Sequence, residues 1–163
     1  MKQQQGFTLI ELIIVIVILG ILAVTAAPRF IDIQEDARKE TMQGVKAAIQ
    51  GASQLVYAKA AIKGVQNSAD SDVTIGTSTV ETKYGYPEGD TLTTFEELQK
   101  FVEIDSTKLV LEDSNATDDM IRIRFSSVTS DDTPNPVTGC YVQYTGASAE
   151  GTVPEIIVVD NAC

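Results

Sequence analysis

Gly6-Phe7-Thr8-Leu9-Ile10-Glu11-Leu12 opens an apolar run that continues from Ile13 to Ala27 without one charged residue and stops at Pro28. Phe7 to Ala27 would be ~31 Å long as a helix, which matches the hydrocarbon thickness of a bilayer. The run contains a single carboxylate, Glu11, near its start. A lone acid in a lipid span costs roughly 2.5–3.5 kcal/mol when central, so its presence calls for a partner. An ordinary secretory signal does not fit: its apolar core is about 7–15 residues. Here the small residues at the end, Thr25-Ala26-Ala27, are followed by Pro28, a poor residue after a cut. A plain single-span anchor accounts for the length and leaves Glu11 unexplained.

Working outward, the remainder suits one domain of the 163-residue chain. There is no His, so no catalytic unit that needs one can be built from this chain alone. Net charge is −11. Basic residues outnumber acids by two from Pro28 to Lys63, whereas acids outnumber bases by thirteen from Gly64 onward. Such a field disfavours nucleic acid as a partner of the C-terminal region. The two cysteines, Cys140 and Cys163, fall short of a zinc shell without His. A free terminal thiol is a liability; a bridge would fasten the tail and, by the chain-entropy model, contribute ~3.5 kcal/mol. An even cysteine count beyond an apolar segment suggests an oxidising compartment.

After Pro28 the pattern becomes amphipathic. Met42, Val45, Ile49, Ala52, Val56 and Ala60 recur at steps of three or four, which predicts a helix with one buried face. Gly44 and Gly51 in this Ala-rich run suggest close packing, and Gly64 is a C-cap candidate. A helix from Phe7 to Gly64 would be ~87 Å long, so its second half must leave any membrane and lie on a partner surface. Residues 65–92, rich in Gly, Ser, Thr and Asp, read as a long loop with one short strand near Val73–Ile75. Thr94-Phe95-Glu96-Glu97 has the spacing of a capping box and predicts a short helix to about Val102. Strands are predicted at 108–112, 120–126, 140–144 and 155–160, with turns at 131–136 and 146–151. The expected class is α+β: one long helix packed on a mainly antiparallel four-stranded sheet.

The leader Met1 to Gly6, the Gly6-Phe7 junction, Glu11 and the uncharged run together resemble the signal of type IV pilins and pseudopilins. The resemblance implies a leader at 1–6, a transmembrane and filament-core helix at 7–28, and a head at 29–163. A prepilin peptidase would cut after Gly6 and methylate the new amino group of Phe7. A glycine before the cut lets the backbone approach a catalytic centre closely. The ammonium of Phe7 on one subunit and Glu11 on its neighbour would then remove each other's cost in lipid. The residue-level alternative, Glu11 interacting with its own helix N-terminus, is compatible with that. Gly20 and Pro28 mark a segment that opens on assembly in the family, and a proline without an N–H favours a kink there.

The resemblance further implies a Cys140–Cys163 bridge like that of type IVa pilins, and the Ala-rich stretch from Gln50 to Ala60 is similar to the mannose-sensitive haemagglutinin pilin branch. The expectation is a non-enzymatic major pilin without cofactor or metal, held in the inner membrane and then polymerised into an extracellular fimbrium for attachment. Its partners would be further copies of itself, the prepilin peptidase, the pilus assembly machinery and a receptor the sequence does not name. The alternatives are a type II secretion pseudopilin and a single-span periplasmic carboxylate enzyme. Asp118-Asp119 and Asp131-Asp132 are calcium candidates that lack a D-x-D-x-D-G loop, so solvated turns are the expectation. Asn115-Ala116-Thr117 fits a glycosylation triplet. Tyr84, Tyr86 and Pro87 are expected to cover a sheet edge rather than bind sugar. The mature chain is expected to begin at N-methylated Phe7, and N-terminal mass analysis of protein from the native host checks this; any other start overturns the pilin resemblance.

Overall fold

The computed structural model describes residues 7–113, 119–127 and 139–163, with backbone only at 26–32 and 113. It divides into a unit of residues 1–37 and a unit of residues 38–163. The boundary falls within one helix, α1, Leu9–Lys63. This helix is uninterrupted through Gly20 and Pro28. The apolar stretch of α1 with described side chains ends at Thr25, and no helix among the described residues is long and apolar enough to cross a membrane; the span expected at 7–28 extends beyond them.

The second unit is an α+β head. Its part of α1 buries Met42, Val45, Ile49, Val56 and Ala60, the stripe expected from the three-and-four spacing, with Ala52 packed against the same core. Ser53 is buried with them; its hydroxyl donates to the Ile49 carbonyl at 2.7 Å, so the helix itself satisfies it. Gly64, at φ +77°, ends the helix as expected. Val65 N–H donates to Ala60 O at 3.0 Å and Gly64 N–H to Ala61 O at 3.1 Å, the paired bonds of a Schellman cap. The expectation for Gly44 and Gly51 is corrected: a Cβ at either would meet no atom within 4 Å. Both lie on the exposed side of α1, away from the seam that packs.

The stretch read as a long loop is instead a small antiparallel sheet of β1 (Ser71–Ile75), β2 (Ser78–Lys83) and β3 (Tyr86–Pro87), in that order. Gly76, at φ +61°, opens the two-residue hairpin between Ile75 and Ser78. Val73, Val80 and Thr82 turn inward and carry the sheet despite the polar composition. A 3-10 turn at Gly89–Thr91 follows. Helix α2 is only Phe95–Leu98, shorter than expected. Its N-cap is the one foreseen, Thr94 Oγ1 accepting from Glu97 N–H at 3.3 Å. Beyond Leu98 the chain tightens into i→i+3 turns, with Lys100 N–H donating to Glu97 O at 3.2 Å and Phe101 N–H to Leu98 O at 3.3 Å, and Phe101 and Val102 are both buried.

The remaining strands, β4 (Leu109–Asp113), β5 (Met120–Phe125), β6 (Tyr141–Thr145) and β7 (Glu155–Val159), form the expected four-stranded antiparallel sheet in the order β4-β5-β6-β7. Ile121 and Ile123 of β5 point into the core with Val142 and Tyr144 of β6. On the other face Arg124 pairs with Glu112, and Arg122 Nε donates to Gln143 Oε1 at 3.1 Å. Register places Arg122 opposite Gln143, so the polar face is a cross-strand ladder.

Two devices close the head. Cys140 and Cys163 form a disulfide, with Cα atoms 4.7 Å apart and both residues buried. Arg38 of α1 donates to the Cys163 carbonyl at 2.8 Å, which ties the tail to the helix. The second device is Asp119. Its Oδ1 accepts from Gly89 N–H at 2.5 Å, its Oδ2 from Lys83 Nζ at 3.3 Å, and its carbonyl from Gly146 N–H at 2.8 Å. A Cβ at Gly89 would come within 2.3 Å of the Asp119 carbonyl oxygen, and one at Gly146 within 2.5 Å of Oδ2. Only glycine lets three segments meet at this residue.

Cys140→Ser is expected to cost about 2–5 kcal/mol, the range for losing a native bridge from a small domain. A lower urea midpoint with faster proteolysis of residues 139–163 checks it. Partial burial lowers the Lys83 pKa, but the Asp119 charge and hydrogen bond, with Glu88 and Asp90, raise it net above 10.5. The stabilisation from Lys83 is therefore complete below pH 10.5 and fades as pH rises through the raised folded value. Urea midpoints of the native chain should fall more steeply above that pH than those of Lys83→Met.

Candidate functional site

The first unit carries one polar cluster in an otherwise apolar helix. Thr8 precedes α1 and Glu11 stands three residues on. Thr8 N–H donates to Glu11 Oε2 at 2.8 Å, and the Thr8 hydroxyl donates to the same oxygen at 2.7 Å. Glu11 N–H donates back to Thr8 Oγ1 at 3.3 Å. This is a reciprocal capping box: each side chain satisfies a backbone N–H that the first helical turn leaves without an acceptor. The signal for it is the Thr-x-x-Glu spacing at 8–11, the same spacing that predicts the cap at 94–97.

The structure thus shows the residue-level alternative, Glu11 engaged with its own helix N-terminus. It does so through one oxygen. Among the described residues no hydrogen bond reaches Glu11 Oε1. A carboxylate has acceptor sites on both oxygens, so a second donor can be taken without dismantling the cap. Phe7, one residue before the cap, is 91% exposed.

Around this cluster lies apolar surface on every side of the helix. Leu9, Ile10, Leu12 and the aliphatic residues from Ile13 to Val24 are all exposed, between 44% for Ile13 and 76% for Val24. A helix apolar all round has no polar face to turn to water, so its natural setting is lipid or other helices. Thr25, the polar residue that follows, donates its hydroxyl to Leu22 O at 3.1 Å and so needs no partner outside its own helix. A Cβ at Gly20 would meet nothing within 4 Å, so its role is not set by packing in the single chain. Gly6 and the side chain of Pro28 lie outside the described residues.

The other candidates resolve as follows. Asp119 spends its carboxylate on Gly89 and Lys83, a structural use. Among the described residues no group of three or more acidic, cysteine or histidine side chains is arranged to hold a metal ion. Asp118, Asp131, Asp132 and the 115–117 triplet lie outside the described residues. Tyr86 stacks on Tyr57 of α1 with centroids 4.6 Å apart, and the buried Pro87 carbonyl accepts from the Tyr144 hydroxyl at 2.6 Å. Burial pushes the Tyr144 phenol well above its usual pKa. Tyr86 and Pro87 are thus themselves the edge strand, β3, and pack on α1 and β6 instead of covering an edge.

Comparison with known proteins places one family match within the first unit. The family model described as the prokaryotic N-terminal methylation motif matches residues 1–27. Over 61 residues the chain is 44% identical to the type IV narrow pilus major component PilA5 of Thermus thermophilus, covering 37% of this chain and 51% of that protein. Over 52 residues it is 40% identical to the type II secretion system core protein G of Klebsiella pneumoniae, covering 32% and 37%. The chain therefore spans about half the length of the first of these relatives and less of the second. No solved structure matches.

Proposed function

We infer, from a chain whose methylation motif and likeness to a pilus component support a type IV pilin, that it is the structural subunit of a surface pilus. The observation that carries this reading is the exposed, uncharged first half of α1, with its one acid capped through a single oxygen. Such a surface cannot remain in water. In the proposed cycle it is stored in the inner membrane and then transferred to a bundle of identical helices, the core of a homo-oligomeric filament.

Cleavage after Gly6 by a prepilin peptidase turns the Phe7 nitrogen into an ammonium, which methylation leaves charged. On a neighbouring subunit it meets Glu11 Oε1 while Oε2 keeps the cap. Each charge then lies in a low dielectric beside its opposite, which favours only the stagger that brings them together. This register role for Phe7 and Glu11 is the chemical content of the proposal. Pro28, which cannot donate to the carbonyl of Val24, and Gly20, a weak helix former, bound the segment that opens on assembly. The assembly machinery supplies the work. The heads, closed by the Cys140–Cys163 bridge, coat the outside and mediate attachment.

A pseudopilin of type II secretion is the second reading, favoured by the likeness to core protein G over 52 residues. One relative is named as a pilus major component and the other as a secretion-system core protein. The pilus reading is preferred because the head is fastened by a disulfide, with both Asp119 carboxylate oxygens engaged by protein donors.

Glu11→Ala is expected to reduce sheared-filament yield at least about tenfold, the loss of one charge-assisted contact per subunit. Mass analysis should still find the mature chain starting at Phe7. Undiminished filaments would remove the register role, and filaments confined to the periplasm at native expression would favour the pseudopilin.

A further inference from the structure

A groove in the head is used by neither the bridge nor the N-terminal segment. Its volume is about 330 Å3, within the lower range of small-molecule sites. Helix α1 contributes Lys46, Gln50 and Gln54, and Val153 and Pro154 ahead of β7 contribute apolar lining. Lys46, Gln50 and Gln54 are four residues apart, so they stand on one side of α1 at steps of about 6 Å. Tyr86 also lines the groove and is held in place by its stack on Tyr57.

The charge of this groove is unlike that of the molecule. The chain carries net −11, yet among the described residues no carboxylate lines the groove and Lys46 is the one charged group that does. The positions three and four residues either side of Lys46 are Met42, Gln43, Ile49 and Gln50, so the helix offers it no acid. Among the described residues Lys46 has no ion pair or hydrogen bond. It is half-buried. Gln50 and Gln54 each bring a carboxamide that both donates and accepts.

An apolar ligand would leave these three groups unmatched, and a polyanion would meet the acidic field of the head. A neutral polyol would serve the carboxamides and leave the ammonium without a partner. We propose that the groove binds a hydroxylated monocarboxylate of sugar-acid size, with its carboxylate at Lys46 Nζ and its hydroxyls at the Gln50 and Gln54 carboxamides. Val153 and Pro154 cover the carbon skeleton. The site does not depend on which filament the chain builds.

The test is a titration of the full chain in detergent micelles, followed by amide NMR, with D-glucuronate, D-glucose and acetate as probes. Glucuronate is expected to give saturable shifts in residues 46–54 and 153–156, at about tenfold higher affinity than glucose or acetate. Lys46→Met should bring glucuronate down to the glucose level with the rest of the spectrum unchanged; Lys46→Gln serves if that variant does not fold. Gln54→Ala should weaken glucuronate and leave acetate unaffected. Acetate matching glucuronate would reduce the site to a lone ion pair and overturn the proposal. So would equal binding of the two sugars, shifts that persist without Lys46, or no shifts in the groove.

Discussion

Everything in the first unit turns on how one carboxylate is satisfied within an uncharged helix. Glu11 accepts from the backbone and hydroxyl of Thr8, so the charge is neither bare nor committed to a distant partner. A helix N-terminus suits an acid, because its free N–H groups and dipole favour negative charge. The cap contributes about 1 kcal/mol to the helix start. It also leaves one carboxylate oxygen open at the exposed end of the chain's most apolar segment. The same residue therefore begins the helix in the single subunit and, in the proposed filament, selects the stagger of neighbours. These roles do not compete, because they use different oxygens.

The head depends on a different constraint, the need to cover one stripe of α1. Met42, Val45, Ile49, Val56 and Ala60 find Ile121, Ile123, Val142 and Tyr144 on the inner face of the four-stranded sheet. The sheet's other face is left to Arg122, Arg124, Glu112 and Gln143, which pair across strands. The smaller sheet packs Val73 and Val80 into the same core. Asp119 joins the two sheets' loops by backbone and side-chain bonds at two glycines, and the disulfide with Arg38 secures the tail. Separating the last strand from β6 therefore requires breaking a disulfide as well as a ladder of hydrogen bonds.

The exposed side of α1 shows how far residue type can mislead about packing. Gly44 and Gly51 sit among alanines and suggest close approach, yet nothing lies within 4 Å of where their side chains would be. Lys46 and the two glutamines beyond it, unremarkable as residues, line a groove once Val153 and Pro154 are brought beside them. Neither outcome follows from local sequence, because both depend on which segment comes to lie on that side of the helix.

Local chemistry determined most of the elements. The alternation of Ile121, Ile123 and Phe125 with Arg122 and Arg124 defined β5, the three-and-four spacing of apolar residues defined the buried stripe of α1, and Gly64 ended it. The run from Phe7 to Ala27 and its one acid were likewise plain, since charge and hydropathy are properties of the residues themselves. Tertiary structure alone decided the rest. The polar stretch 71–87 became a sheet because Val73, Val80 and Thr82 found a core to face. Helix α2 ended early, passing into i→i+3 turns that carry Phe101 and Val102 into the core. Asp119 became a latch because two distant glycines left it room. In each case the deciding free energy comes from contacts between residues far apart in the chain, which no window of neighbouring residues contains.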